Sequence, residues 1–299
     1  MNNIKIVFSF DDNYLIAGYT AITSLLVNAK KNTFYEIYIL EDKELSNENK
    51  KYIRELEKEY NTIIKYIKVD YSFDTTKLKA YFTKSIYYRL LIPRLLKDVD
   101  KVIYLDSDVI VNDDLNELYN IDINNFYIGA VKDQYCNLYE KEYIRNNLKL
   151  EPNNYINSGV LLINCKKMRE DNLIEKFIEE SYNEYKFPDQ CILNKVCFGK
   201  ILYLNPKYNI NYLFLNKEYY TKEELNDLLF NPIIYHYFGY SKPWIKFCLN
   251  DEMQSFWLYY YKKTPFYKKD DIIKYGYYKN IIEMQELKKD TYKKEMKEL

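Results

Sequence analysis

Residues 101 to 108 read Lys-Val-Ile-Tyr-Leu-Asp-Ser-Asp, an apolar run that ends in two carboxylates. The run has the β-branched and aromatic residues of a buried strand, which it predicts over 101–106. Side chains at positions i and i+2 of an extended chain lie on one face, so Asp106 and Asp108 can both reach one hard divalent cation. Aspartate is also common in turns after strands. The position favours a metal site, because open α/β sheets bind ligands at the carboxyl ends of their strands.

Apolar runs alternate with helical patterns on both sides of this segment, which is typical of an α/β sheet. Pro188 is predicted to begin a helix, and Pro93 to end one that starts at Lys84. Ser46 is predicted to cap another helix. Strands are predicted at 4–10, 36–40, 63–69, 101–106, 127–131, 159–164, 200–204 and 233–237, and further helices at 15–28 and 166–185.

The composition is that of a globular protein without a dominant charge. The chain has 299 residues, of which 47% are hydrophobic, and 44 basic residues balance 44 acidic ones. The apolar content is ample for a large core, and the charge balance removes the simple electrostatic argument for nucleic acid as a partner. The five cysteines are an odd number without Cys-x-x-Cys spacing, which favours a reducing cytoplasm over a disulfide framework.

The first ten residues are predicted to form a strand rather than a signal peptide. They carry a single lysine and a short apolar run that leads to Asp11 and Asp12, without a small-residue cleavage site. No apolar stretch approaches the roughly 18 residues that span a bilayer. The sequence therefore predicts a cytoplasmic protein, with peripheral contact at the inner face of the membrane as its form of membrane association.

His236 is the only histidine of the chain and lies at the end of an apolar run. A hydrogen-bonded core histidine is the commoner reason for such a position. Gly239, however, permits close approach of the backbone to a ligand, and Lys242 supplies a point charge suited to phosphate. An imidazole, two carboxylates and phosphate oxygens would complete a coordination sphere for Mn²⁺ or Mg²⁺, and the nitrogen donor favours Mn²⁺.

Asp11, Asn13 and Tyr14 follow the first predicted strand and have two interpretations. Aspartate and asparagine favour the capping position of a helix. The same residues offer an aromatic face with amide and carboxylate acceptors, which suits a nucleobase at the edge of the sheet. The local sequence supports both interpretations equally.

Three other polar elements are each typical of caps and turns when taken alone. They are Asn157-Ser158-Gly159 before an apolar strand, Asp189-Gln190 at a helix start, and Arg89 within an apolar helix. If they lie inward, these groups need hydrogen-bonding partners. A bound polyhydroxyl ligand would supply those partners.

Taken in chain order, these motifs resemble glycosyltransferase family 8, the retaining group that includes bacterial lipooligosaccharide galactosyltransferases and glycogenin. The resemblance extends from Phe8 to Trp244. It implies a GT-A fold, which is a Rossmann-like mixed sheet flanked by helices, together with a Mn²⁺-dependent reaction and a UDP-sugar donor. Its motifs are Asp-x-Asn-Tyr (11–14), Tyr-x-Arg-Leu (87–90), Leu-Asp-x-Asp (105–108), Asn-x-Gly-Val-Leu-Leu-Ile-Asn (157–164), Asp-Gln-x-x-Leu-Asn (189–194) and His-x-x-Gly-x-x-Lys-Pro-Trp (236–244).

The resemblance also implies a ligand for each motif. Lys242 would neutralise the charge that develops on the departing diphosphate. Tyr14 would stack on uracil, and Asp11 would accept from the base. The implied binding residues are Asp106, Ser107, Asp108 and His236 at the metal and phosphates, Gly239 and Lys242 at the diphosphate, Asp11, Asn13 and Tyr14 at the uridine, Arg89, Asn157, Asp189 and Gln190 at the donor sugar, and Asp133 near the acceptor.

The implied reaction transfers glucose or galactose from a UDP-sugar with retention of configuration. Retaining hydrolases place a carboxylate nucleophile on the opposite face of the sugar, where the resemblance places Gln190, a poor nucleophile. Same-face attack by the acceptor, assisted by the departing phosphate, is therefore preferred, and a covalent intermediate through Asp189 or Gln190 ranks second. The predicted catalytic residues are Asp189, Gln190, Lys242 and Arg89. Cys191 stands where many relatives have aspartate, so sugar or acceptor contacts are expected to differ there.

Residues 1–264 are predicted to form the GT-A catalytic domain, and 265–299 a Lys- and Tyr-rich helical tail. The tail has two interpretations, contact with an anionic membrane surface, mainly through 262–279, or a solvated helix, which the acidic residues beyond 280 favour. The acceptor is expected to be a cell-surface or lipid-linked glycan, as in lipopolysaccharide synthesis. Two other function classes are a priming protein that glycosylates its own tyrosine, as glycogenin does, and a non-catalytic module that binds sugar nucleotides.

Overall fold

The computed structural model describes residues 2–41, 45–71, 73, 84–211, 219–238, 242–244 and 251–268. Its strands are β1 (Asn2–Ser9), β2 (Thr33–Glu41), β3 (Thr62–Lys68), β4 (Lys101–Leu105), β5 (Val109–Val111), β6 (Ile128–Lys132), β7 (Ile156–Asn164), β8 (Ile201–Tyr203) and β9 (Ile234–His236). Its α-helices are α1 (Leu15–Val27), α2 (Asn47–Glu59), α3 (Ile92–Leu95), α4 (Asn116–Asn120), α5 (Gln134–Tyr139), α6 (Lys141–Tyr143), α7 (Cys165–Glu170), α8 (Leu173–Ser181), α9 (Pro188–Val196), α10 (Lys222–Phe230) and α11 (Asp251–Tyr261). Segments of 3₁₀-helix cover Asp12–Tyr14, Lys84–Leu91 and Pro206–Tyr208, and a π-helical turn covers Ile144–Leu148.

Seven of the strands form one mixed sheet in the order β3-β2-β1-β4-β7-β6-β8. β1 is parallel to both β2 and β4, whereas β7 is antiparallel to its neighbours β4 and β6. The predicted mixed α/β sheet is therefore confirmed. Because of these directions, β1, β4 and β6 end at the same edge of the sheet at which β7 begins. That edge collects the loops that carry most of the predicted site.

The side chains of β1 alternate between two apolar cores, one on each face of the sheet. Ile4, Ile6 and Phe8 pack into one core and Val7 into the other. Burial of each large apolar side chain stabilises the fold by roughly 1.5–3 kcal/mol. A strand covered on both faces has little need for polar positions, which is why β4 reads as a nearly continuous apolar run.

Two predicted helix boundaries are wrong. Pro93 does not end a helix but lies in the first turn of α3, where its missing N–H leaves no hydrogen bond unmade, and the preceding Lys84–Leu91 segment is a 3₁₀-helix. The single helix predicted over 166–185 is divided into α7 and α8. Asn172 separates them with a φ of 53°, a left-handed conformation that interrupts a helix and that asparagine tolerates better than most residues.

β5 and β9 form a separate two-stranded antiparallel sheet. Its register pairs Val109 with His236, and the backbone N–H of Tyr237 donates to the carbonyl of Asp108 at 2.9 Å. A late segment of the chain is thereby fixed beside the loop that follows β4. This small sheet brings the only histidine to the two aspartates.

The last described residues pack on the first helix. Asn28 donates through Nδ2 to the Tyr260 hydroxyl at 2.7 Å, and the rings of Tyr19 and Phe266 lie 5.2 Å apart edge to face. Among the helices that the structure describes, none is both long and apolar enough to cross a membrane. The predicted tail falls almost entirely outside the described residues, so the boundary at 264 stays a prediction.

Candidate active site

The candidate site is built on the sheet edge where β4 ends and β7 begins. The backbone N–H of Asp106 donates to the carbonyl of Gly159 at 2.8 Å, which extends the ladder between these strands by one step. Asp133 follows β6 at the same edge and caps α5 by accepting from the N–H of Cys136 at 2.8 Å. Residues from three distant parts of the sequence are thus held by regular backbone pairing.

Asp106, Asp108 and His236 form a cluster in which one ligand atom from each lies within 4.8 Å of the others. The imidazole Nε2 is 3.3 Å from Asp108 Oδ1 and 3.6 Å from Asp106 Oδ2. Ser107 lies between the two aspartates and is buried. The predicted meeting of two carboxylates with the lone histidine is present in the structure.

The cluster fits a divalent cation on two observations. His236 is 1% exposed, and among the described residues its Nε2 has no hydrogen-bond partner. An unpartnered buried nitrogen is costly unless a ligand fills the gap. A Cβ at Gly159 would lie 2.1 Å from His236 Cε1 and 2.8 Å from Asp106 Oδ2. Both distances are too short for a real Cβ contact, so only glycine fits beside the ring and the carboxylate. Two carboxylates and one imidazole are a donor set that suits Mn²⁺.

Lys242 lies on the other side of Asp108. Its ammonium donates to Asp108 Oδ2 and, at 2.8 Å, to the carbonyl of Tyr237. Burial by itself would raise the pKa of the Asp108 carboxyl, but the contacts with Lys242 and His236 together outweigh it and hold the pKa well below its usual range. The same carboxylate overcomes the burial of Lys242 and raises its pKa. A positive charge is therefore kept at the position predicted for the diphosphate.

Arg89 joins the metal cluster to the start of α9. Its guanidinium contacts Asp106 Oδ1 at 2.8 Å and Asp189 Oδ2 at 3.2 Å, and it donates to the Ser158 carbonyl at 2.7 Å. The group also lies over the ring of Tyr104, 4.6 Å from the centroid. Burial would lower the pKa of Arg89, but Asp106, Tyr104 and Asp189 together outweigh it and raise the pKa. Arg89 is thus a fixed cation that neutralises the carboxylates of Asp106 and Asp189.

Gln190, Asn157 and Asp133 form a second polar group beside Arg89. Asp133 Oδ2 accepts from both amides, at 3.1 Å each. The side-chain Oε1 of Gln190 accepts from the backbone N–H of Ser158 at 3.1 Å. These inward groups therefore find hydrogen-bonding partners in one another. Their contact with a donor sugar stays a prediction.

The segment after β1 lies at the same edge. Asp11 caps the 3₁₀ turn by accepting from the N–H groups of Asn13 and Tyr14 at 3.0 and 3.2 Å, so the predicted capping role is confirmed. Tyr14 is 46% exposed, and its ring meets the edge of Trp244 at 6.2 Å between centroids. The structure leaves an open aromatic face beside Lys242. Gly239, the remaining predicted contact, lies outside the described residues.

Two contributors to the site were not predicted. Asn209 accepts from His236 Nδ1 at 2.9 Å, and the Tyr104 hydroxyl donates to Asp106 Oδ1 at 2.8 Å. Tyr104 could have been found, since it lies two residues before Asp106 on the same strand face. Asn209 follows a short 3₁₀ turn and carries no sequence signal of its contact.

Comparison with known proteins gives several matches. Residues 5–248 match the family described as glycosyl transferase family 8. A putative glycosyltransferase of Haemophilus influenzae is 32% identical over 284 residues, which cover 88% of this chain and 84% of that protein. A lipopolysaccharide 1,2-glucosyltransferase of Escherichia coli is 30% identical over 257 residues, covering 80% of this chain and 73% of that protein.

Solved structures match the same part of the chain. The apo structure of the bifunctional glycosyltransferase WbbM superposes with a TM-score of 0.74 at 28% identity, covering 91% of this chain and 51% of that one. The galactosyltransferase LgtC, in complex with donor and acceptor sugar analogues, gives a TM-score of 0.74 at 24% identity, covering 91% and 100%. The expected GT-A fold is confirmed by these superpositions.

Proposed function

The chain belongs to glycosyltransferase family 8 and is a glycosyltransferase, and from that premise we propose that it moves glucose or galactose from a UDP-sugar to a cell-surface or lipid-linked glycan with retention of configuration. The observation that carries the proposal is the cluster of Asp106, Asp108 and His236 with its buried, unpartnered Nε2. The lipopolysaccharide glucosyltransferase relative supports the choice of donor and acceptor class.

The three clustered residues would hold the metal, for which we propose Mn²⁺, and when bound it would supply Lewis-acid charge to the diphosphate of the donor. Lys242 adds a second positive charge at the same place. Its ammonium is paired with Asp108, so a phosphate would share that donor with the carboxylate or replace it. Lys242 thus favours departure of UDP, since the charge on the leaving group grows as the bond breaks.

The tyrosine face after β1 is proposed to hold the base. Tyr14 is half exposed while Trp244 supports the edge of its ring. Asp11 and Asn13 are hydrogen-bonded to each other at 3.1 Å and offer their remaining acceptors and donors nearby. Stacking of a base on such a ring is worth roughly 1–3 kcal/mol.

The polar group on the sugar side supports same-face attack over a covalent intermediate. Both ends of the Gln190 amide are engaged, by Asp133 and by the Ser158 backbone. The Asp189 carboxylate accepts from Ser158 Oγ at 2.9 Å and is paired with Arg89, so neither of the two proposed nucleophiles is free to attack. Burial raises the pKa of Asp189 although Arg89 opposes that effect.

A donor screen tests the proposal. The purified protein is incubated with each common UDP-hexose and Mn²⁺, without added acceptor, and released UDP is measured. We expect slow release from UDP-glucose or UDP-galactose that stops with EDTA and falls at least about 100-fold in D108N, which removes one metal-binding charge. D113N is the matched control, because Asp113 is an exposed aspartate five residues later and should leave the rate unchanged.

The same samples separate the other function classes. An intact-mass increase in steps of one hexose would identify a protein that glycosylates itself. Tight UDP-hexose binding with neither hydrolysis nor transfer would identify a non-catalytic module. If the protein neither binds UDP with Mn²⁺ nor releases UDP from any donor, the proposed function is wrong.

A further inference from the structure

We propose that Asn209 is a positioning residue that fixes the tautomer of His236, so that the imidazole presents the lone pair of Nε2 to the metal site. The role at the metal rests on the proposed function, whereas the tautomer itself is a property of the protein alone. The inference follows from a chain of hydrogen bonds in which each amide has only one orientation that its neighbours allow.

The chain starts at a backbone group that cannot reverse its polarity. The N–H of Gly159 donates to Asn157 Oδ1 at 2.9 Å, and a backbone N–H can only donate. At the other end of the same amide, Asn157 Nδ2 lies 3.1 Å from Asp133 Oδ2, and a carboxylate can only accept. Reversing the Asn157 amide would oppose two donors at one end and two oxygens at the other. Both ends therefore fix the same orientation.

That orientation passes to the next amide. Asn209 Nδ2 lies 2.9 Å from Asn157 Oδ1 and must donate to it. Asn209 Oδ1 then faces His236 Nδ1 at 2.9 Å. An amide oxygen only accepts, so Nδ1 carries the proton and, in the neutral ring, Nε2 carries the lone pair. All three side chains are at least 90% buried, which limits competition by water.

The position of the ring proton matters because the carboxylates of Asp106 and Asp108 lie close to Nε2. With the opposite tautomer, the proton would lie on Nε2, which is 3.6 Å from an Asp106 oxygen and 3.3 Å from an Asp108 oxygen. The ring would then offer no lone pair to a metal held by these carboxylates. Histidines that bind metals commonly have the other nitrogen fixed in this way, and loss of such a partner weakens metal binding about 10- to 100-fold.

The chain composition allows a direct measurement of the tautomer. His236 is the only histidine, so protein labelled with ¹⁵N-histidine and prepared without a polyhistidine tag gives the nitrogen signals of this ring alone. Spectra of the metal-free protein at alkaline pH should show a protonated Nδ1 and an unprotonated Nε2. A wild-type spectrum with a protonated Nε2 would overturn the inference.

Three variants separate positioning from simple damage to the segment. N209L removes the acceptor and should convert part or all of the ring to the Nε2–H tautomer. N209D keeps an acceptor for Nδ1 and should keep the proton on Nδ1, although its second carboxylate oxygen loses the hydrogen bond to Asn157 Oδ1. N205A is the matched control, because Asn205 caps the same short turn through Lys207 without touching the site, and it should retain the wild-type signals. An unchanged spectrum in N209L, or a protonated Nε2 in N209D or N205A, would contradict the assignment.

Metal affinity supplies the second measurement. Titration of Mn²⁺ in the presence of UDP should give a dissociation constant about 10- to 100-fold higher for N209L than for wild type, with N205A unchanged. Unchanged affinity in N209L would overturn the positioning role. Failure of the proposed function is distinguishable, because a protein without transferase activity would still show the tautomer of the metal-free ring.

Discussion

Gly159 shows how a single missing atom shapes the site. Its position at the start of β7 is fixed by backbone pairing with Asp106, and the ring of His236 occupies the space that a side chain would need. The buried ring cannot move aside without breaking its contact with Asn209. The glycine is therefore required by close packing against the imidazole.

We expect G159A to lose Mn²⁺ binding in the presence of UDP at least about 10-fold, since its Cβ would displace the ring or the Asp106 carboxylate. G129A is the matched control in the neighbouring strand. There the new Cβ would lie 3.2 Å from the end of the Leu204 side chain, which can shift, so metal binding should be retained. Calorimetric titration measures both, with circular dichroism to confirm folding, and wild-type affinity in G159A would refute this account of the glycine.

At the level of single residues, the sequence predicted the groups whose chemistry is rare. From the sequence alone, one site could be assigned to two carboxylates at a strand end, a lone histidine and a lysine near that histidine. Arg89 could be singled out as a buried charge, but its partners depend on how β7 and α9 face each other. Asn209 was missed because its role depends on the orientation of one neighbouring amide, which sequence pattern does not encode.

Elements of the sheet are joined by polar contacts as well as by the backbone ladder, and β2 is an example. Glu36 accepts from Lys65 of β3 at 2.6 Å, from Tyr38 of its own strand at 2.7 Å and from Asn3 of β1 at 3.4 Å. Burial alone would raise its pKa, but the hydrogen bonds from Lys65 and Tyr38 outweigh it and lower the pKa from 4.5 to about 2. The carboxylate thus connects three adjacent strands.

We expect E36Q to lower the free energy of unfolding by on the order of 1 kcal/mol at neutral pH. A carboxyl with a lowered pKa stabilises the folded state above its unfolded value of 4.5 and loses that contribution as the pH falls towards 2. The difference between variant and wild type should therefore shrink below pH 4.5. Urea unfolding over this range measures it. E55Q, at an exposed pair within α2, should show little difference at any pH, and a pH-independent deficit in E36Q would contradict the assignment.

Strands and helices were predicted well where a single kind of sequence pattern dominates. The strands of the central sheet appear where apolar runs predicted them, with small shifts at their ends. The errors fall at Pro93 and Asn172, where one residue type permits two outcomes. Proline ends a helix or begins one, and asparagine continues a helix or leaves it in a left-handed turn, and tertiary packing decides which.

Early, middle and late segments of the sequence meet at the candidate site. Asp11 follows β1, Asp106 follows β4 and His236 ends β9. A UDP-sugar with its metal would contact all three. Ligand binding should therefore stabilise the fold as a unit, because a ligand that binds only the native state shifts the unfolding equilibrium.

Thermal unfolding checks this expectation. UDP and Mn²⁺ together, at about 100 times the dissociation constant, should add about 2.7 kcal/mol and raise Tm by about 4 °C. UDP with EDTA should give a much smaller shift, because the metal ligands then lack their cation. Equal stabilisation with and without metal would count against a metal-dependent donor site.

The order of the strands in the sheet could not be predicted from hydrophobic periodicity. Alternating strands and helices indicate an α/β sheet, yet the antiparallel insertion of β7 between β4 and β6 depends on long-range pairing. The family resemblance implied a mixed sheet but not this strand order. The small sheet of β5 and β9 was also beyond local patterns, because both strands have only three residues.

The two-stranded sheet of β5 and β9 also bears on how the protein is made. A chain leaves the ribosome from its amino end, and its early segments can fold while later ones are still being added. Strands β1 to β4, with both aspartates, emerge long before His236. The nascent chain would therefore complete the proposed cation site only after β9 has been synthesised and has paired with β5.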